Sequence, residues 1–184
     1  MKQIGSTFPA ELAAAGLAGL PFSWTAAGEI AFDDSVTQQQ RDAVMAVYAA
    51  HDPKQAEIQS KWEFIKAERD RRTDQGGYKV GTLWFHSDQK SRSQQLGLNL
   101  LAIQVLASGG TASTPLPGVT PWKTMDGSEV TMTAGLAQQI LAAAAASDSA
   151  IFDAAKAHKL AMESSPDPAS YDVLSDWPKS FGEA

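Results

Sequence analysis

From Gln38 to Ala50 the apolar residues Val44, Val47 and Tyr48 share one face of a helix, and Thr37 just ahead has the side chain of an N-cap. Asp52-Pro53 ends or interrupts that helix, because proline biases the residue before it away from the helical region. A second helix is predicted from about Lys54 to Arg72. Its apolar positions Ile58, Trp62 and Ile65 are spaced four then three and lead on to Arg69, which is the spacing of a coiled-coil seam. Such a seam serves either self-association or packing on the chain's own domain. Glu57 with Lys61 and Glu68 with Arg72 add i,i+4 ion pairs on the remaining surface. Upstream, a short helix around Ala10 to Ala15 is stopped by Gly16, Gly19 and Pro21. Phe22-Ser-Trp24 and Glu29-Ile-Ala-Phe32 then flank Ala27-Gly28 with alternating apolar residues, the pattern of a hairpin.

The composition changes at Thr73-Asp-Gln-Gly76-Gly77, a polar, glycine-rich stretch that marks a domain boundary. Tyr78 to Val80 and Thr82 to His86 flank Gly81 and are rich in strand formers. Ser87-Asp88 caps a helix running to about Ala107, with a core face of Leu96, Leu100, Ile103 and Ala107 and a second covered side at Leu98, Leu101 and Val105. Residues 109–120 read as a mobile loop with only Leu116 and Val119 to bury. Asp126-Gly127 between Pro121–Met125 and Ser128–Met132 predicts a hairpin with a type I′ turn. Thr133 caps an alanine-rich helix that Ser147-Asp148-Ser149 is expected to break in two. The tail from Ser164 carries Tyr171, Trp177 and Phe181 without helical spacing, as an anchor that docks on the body or on a partner.

These elements predict a helix-rich α+β fold. A small N-terminal hairpin-and-helix segment (1–53) leads through a connecting amphipathic helix (54–74) to a β, helix, hairpin, helix unit (75–163) with one small sheet. An aromatic tail (164–184) follows.

Composition narrows the chemistry. A formal net charge of -6 sets the overall field against phosphate, so nucleic acid is not an expected partner. With no cysteine, disulfides, thiolate nucleophiles and cysteine-based metal sites are absent together. Pro9 and Glu11 interrupt the only leader-like apolar stretch, and no run is long enough to span a membrane. His51, His86 and His158 lie on separate elements with no second ligand at metal-site spacing, and His51 is expected at a helix end, where it suits the dipole. Asp33-Asp34, Asp167, Asp172 and Asp176 are explained by turns and caps. Gly76-Gly77-x-x-x-Gly81 follows a helix and lacks the Lys-Ser/Thr of a phosphate loop. The basic group Arg69, Arg71, Arg72, Lys79, Lys90 and Arg92 reads as a solvated helix end, with binding of an anion or an acidic partner as the alternative. Trp84 and Trp122 read as packing residues, with a ligand platform as the alternative. No cofactor, metal or catalytic residue is assigned.

Arg69-x-Arg71-Arg72, Gly76-Gly77, Val80-Gly81, Phe85, Ser87-Asp88 and Ser91, followed by Trp122-Lys123, Asp126-Gly127, Val130 and Thr133-Ala134, are familiar as a set. Over about residues 65–162 the chain resembles an uncharacterised C-terminal domain encoded in bacteriophage and prophage tail-fibre gene clusters. The front, with Gly19-Leu-Pro-Phe-Ser-Trp24, Gly28-Glu-Ile-x-Phe32 and Val47-Tyr-Ala-Ala-His-Asp-Pro53, is similar to segments that accompany this domain. The resemblance implies a non-enzymatic virion component at the tail tip or baseplate, linking or accompanying the receptor-binding tail fibre, made in the host cytoplasm and resident in the virion tail. Its partner would be a tail-fibre or baseplate protein, with a homo-oligomer, a trimer by the setting, alongside. Ile58, Trp62, Ile65, Arg69, Trp177 and Phe181 are the expected contact residues. A tail-fibre assembly chaperone is the alternative, and a carbohydrate-binding module using Trp84 and Trp122 a second one.

Overall fold

The computed structural model describes residues 1–183. Within them the chain forms α1 (Phe8–Ala14), the hairpin β1 (Phe22–Trp24) and β2 (Ile30–Phe32), α2 (Gln38–Ala50) and α3 (Gln55–Gln75). A second hairpin, β3 (Tyr78–Val80) and β4 (Leu83–Phe85), leads to α4 (Gln89–Ala107). A third, β5 (Trp122–Lys123) and β6 (Glu129–Val130), leads to the long α5 (Ala134–Ser164). The fold is helix-rich α+β, as the sequence pattern requires. The backbone divides into two compact units, 1–63 with 162–171 and 64–161 with the segment from Asp172, so the division falls inside α3, ahead of the Gly76-Gly77 stretch.

In the first unit Ile4, Phe8, Leu12 and Val44 form the buried centre, with Phe22, Ile30, Phe32, Val47 and Tyr48 packed around it. Thr37 and Gln40 close a reciprocal capping box at the start of α2, which satisfies two backbone donors the helix leaves unpaired. His51 caps the other end of α2, the helix-end position expected from the sequence, and is buried there. Its Nε2 accepts the Gly5 N–H at 2.8 Å, which places the ring proton on Nδ1, 2.8 Å from Glu11 Oε2.

The second unit packs Tyr78, Phe85, Ala102, Leu116, Met132, Ala134, Ala137, Ile140 and Ala144 into one core. Its strands do not merge into a single small sheet. β3 pairs only with β4 and β5 only with β6, and the hairpins meet through one backbone bond, Met125 N–H to the Trp84 carbonyl at 2.9 Å. Strands of two or three residues are too short to present a further ladder edge.

Three other expectations are corrected. Residues 109–120 are anchored: Leu116 is buried, its N–H bonds the Met132 carbonyl at 2.9 Å, and Ala134 and Gly135 donate to Thr114 and Ala112. α5 runs unbroken through Ser147-Asp148-Ser149, because Asp148 is held by Arg92 and its carboxylate is not free to compete for backbone donors. The Asp126-Gly127 turn is not type I′, since only Gly127 has a positive φ, 85°. Gly127 N–H bonds the Thr124 carbonyl and Thr124 N–H the Ser128 carbonyl, a type I turn followed by a left-handed glycine. Thr25, Gly28 and Glu29 repeat the same bonds in the first hairpin, where Gly28 has φ 95°.

Candidate functional site

The rotation of α4 decides which surfaces the second unit offers. Asp88 caps the helix by accepting the Ser91 N–H at 3.0 Å, and hydrogen bonds from the Ser91 hydroxyl and N–H hold its carboxyl below the usual range. Two polar side chains then orient it. Gln95 is buried, donates to the His86 carbonyl at 3.0 Å and accepts from the Tyr78 hydroxyl. Arg92 donates to the Ser87 and Thr73 carbonyls and grips Asp148, which pushes the guanidinium further up in pKa. With these anchors set, Ala102 faces the core, flanked by Leu98, Leu101, Val105 and Leu106.

The expected core face of α4 is therefore on the outside. Leu96, Leu100 and Ile103 are 51, 58 and 49% exposed and follow one another at intervals of four and three along a solvent-facing stripe. Between Arg92 and Lys123 no side chain is ionisable, so the charges of α4, Lys90 and Arg92, are confined to its first turn, ahead of the stripe. An exposed aliphatic stripe on a helix with no charge beyond its first turn is an unusual surface for water to face. The missing charges were the sequence signal for it.

A groove of about 680 Å³ opens on another side of α4, between the helix and residues 118–123. Leu98, Leu101, Val119, Pro121 and Trp122 supply its apolar lining, and His86, Ser91, Gln94, Thr120 and Lys123 its polar groups. The Trp122 indole N–H is buried and meets no acceptor among the described residues, which costs about 1–3 kcal/mol. Gly97 also lines the groove, and a β-carbon placed there would meet open space beyond its chain neighbours and the nearby backbone of its own helix. A glycine inside a helix costs about 1 kcal/mol relative to alanine. β5 is held against the groove by its turn: Thr124 and Ser128 hydroxyls and the Ser128 N–H bond Asp126 and draw its carboxyl down to about 2.

The contact residues expected from the sequence lie elsewhere. On α3, Ile58 and Trp62 are half-buried in the first unit, while Ile65 is fully buried in the second, so the seam is not an open stripe. Phe64 is the exposed residue there, at 60%. Arg69 sits over the Phe152 ring at 5.1 Å. Trp177 is buried, stacked on His158 with ring centres 4.8 Å apart, and Phe181 meets the edge of Trp84 at 6.1 Å. The tail from Asp172 thus docks on its own unit. The ion pair expected on the surface is buried as well. Glu68 receives Arg71 and Arg72, and hydrogen bonds from Arg71 lower its carboxyl pKa. Arg72 continues to the Pro178 carbonyl and Glu183, and its guanidinium lies over Trp177. Of the two tryptophans weighed as a platform, Trp122 lines the groove and Trp84 does not. The three histidines stay on separate elements, and among the described residues no three His, Asp or Glu side chains gather as metal ligands.

Compared with known families, the chain matches over residues 53–175 the model of a domain family described as "Domain of unknown function (DUF4376)". No curated protein matches the chain. No solved structure matches it either.

Proposed function

Starting from the fact that the chain belongs to the DUF4376 family, we propose that it is a non-enzymatic component that accompanies the receptor-binding tail fibre of a bacteriophage, acting through contact with a fibre or baseplate protein. The observation that carries the contact role is the α4 stripe of Leu96, Leu100 and Ile103, left to solvent on a helix that carries no charge beyond its first turn. Burying three half-exposed aliphatic side chains against an apolar partner releases roughly 25 cal/mol per Å². The tail setting is supported by the resemblance of residues 65–162 and of the front segment to proteins of tail-fibre gene clusters.

Mass spectrometry of stringently washed particles, with the fibre protein as internal standard, tests this reading. Detection at a constant ratio to the fibre is expected. Because the chain has no cysteine, Leu100→Cys gives a single crosslinking handle, and its adduct should contain a fibre or baseplate protein. Absence from particles, together with a fall in fibre trimer yield when the chain is withheld from co-expression, would replace this role with that of an assembly chaperone using the same face.

A further inference from the structure

The α4 groove is a second surface, on a side of the helix different from the stripe, and it carries features that the chain's own packing does not explain. Gly97 lies in the middle of a long helix, where alanine or any other residue except proline would hold the helix better. Glycine in such a place ordinarily admits a close neighbour, yet Gly97 is exposed and, apart from its chain neighbours and the nearby backbone of its own helix, no atom comes within 4 Å of the position a β-carbon would take. Trp122, on the opposite wall, keeps an indole N–H buried without an acceptor, a penalty that phenylalanine would avoid. Two local sacrifices of stability converge on one groove, and local rules are broken where a site has to be kept.

We propose that this groove binds an uncharged saccharide of two or three sugar units. Its lining has the two kinds of surface such a ligand presents. Trp122, Pro121, Val119, Leu98 and Leu101 match the C–H faces of pyranose rings, and tryptophan offers the broadest apolar plate of any side chain. His86, Gln94, Thr120 and Lys123 stand around that plate, and their side chains make no hydrogen bond within the chain among the described residues, which leaves donors and acceptors for hydroxyl groups. No carboxylate lines the groove, so the site binds a sugar without an acid/base pair to cleave it. Lys123 is the only lining residue with a fixed charge, too little to select an anionic polymer. The volume of about 680 Å³ is in the range of small-ligand sites. The walls are preformed: Ser87 and His86 carbonyls hold α4, and the Thr124–Ser128 turn holds β5. The tail-fibre reading is not needed for any of this.

The test is a titration of the ¹⁵N-labelled full chain with maltotriose, cellotriose and triacetylchitotriose, following the Trp122 indole cross-peak, assigned by its loss in Trp122→Phe. A saturable shift of that peak with at least one trisaccharide is expected, at a dissociation constant in the millimolar range or tighter. Gly97→Met projects a long side chain from a groove position where a β-carbon meets open space, and methionine favours the helix. It should weaken binding at least tenfold with the circular dichroism spectrum unchanged, whereas Leu100→Gln on the stripe should leave binding as it is. Silence of the Trp122 peak with all three sugars at about 10 mM, where even a millimolar ligand saturates, overturns the proposal. So does a shift that persists in Gly97→Met, or a response confined to a neutral extended peptide such as acetyl-Ala-Thr-Pro-Leu-amide.

Discussion

Arg92 holds Asp148 with two nitrogens at once, at 2.7 and 2.8 Å, and so ties the first turn of α4 to the middle of α5. Lysine at this position would keep a charge but lose the planar fork and the bonds to the Ser87 and Thr73 carbonyls. The pair is about 30% exposed, so solvent screens part of its strength. Arg92→Lys should therefore lower unfolding free energy by about 1–2 kcal/mol, read by urea denaturation.

Most elements of this fold were legible in the sequence, and the rotation of one helix was not. Thr37, Asp88 and Thr133 mark helix starts because their side chains can accept backbone N–H groups, a local signal that needs no tertiary knowledge. The apolar residues of α4 ring the helix, so their spacing admits two core faces. Gln95 and Arg92 choose between them through bonds to carbonyls at the end of β4, and hydropathy gives these polar anchors no weight. The same blind spot concealed Glu68 and Arg72, which read as a surface pair and are buried because the tail covers them. The groove was half visible: Trp122 was weighed as a platform, but the emptiness beside Gly97 exists only once the helix is placed.

The two faces of α4 should respond to mutation in opposite ways. Leu100→Gln, at 58% exposure, is expected to change stability by less than about 0.5 kcal/mol. Ala102 has no exposed surface, and Ala102→Leu forces added methylenes into a packed core at a cost of about 1–3 kcal/mol. Thermal melts of the two variants distinguish this rotation from the one the apolar spacing first implies.

Tyr78 is buried, and burial pushes its phenol up to about 12. The neutral phenol is thus favoured in the folded chain. Its contribution is fully present below the unfolded value near 10 and is lost as pH rises from there through about 12. Over that interval the urea midpoint should drop by the equivalent of about 2–3 kcal/mol. Tyr78→Phe should lack this part of the alkaline decline. The 295 nm absorbance titration should lose a late-ionising tyrosine in the same variant.

Trp177 anchors the tail through its stack on His158 and through an indole N–H bond to the Val173 carbonyl at 2.8 Å. Trp177→Ala should cost about 3–5 kcal/mol, the range for deleting a buried large aromatic. Trp177→Phe keeps a ring over His158 but loses the bond, with an expected cost of about 1–2 kcal/mol. Denaturation midpoints of both variants, compared at equal concentration, check the difference.

The bonds between Arg72 and Glu183 span 111 positions of the chain, which orders events during synthesis. At about 5–20 residues per second, a ribosome takes several seconds or more to add that length. For the whole interval the Arg72 guanidinium has only Glu68, a neighbour on its own helix, and not the carbonyl of Pro178 or the ring of Trp177. The second unit is therefore completed late, by a segment that closes over a charge already in place. A nascent chain halted before residue 177 would display that charge without the segment that closes over it, as a marker of unfinished protein.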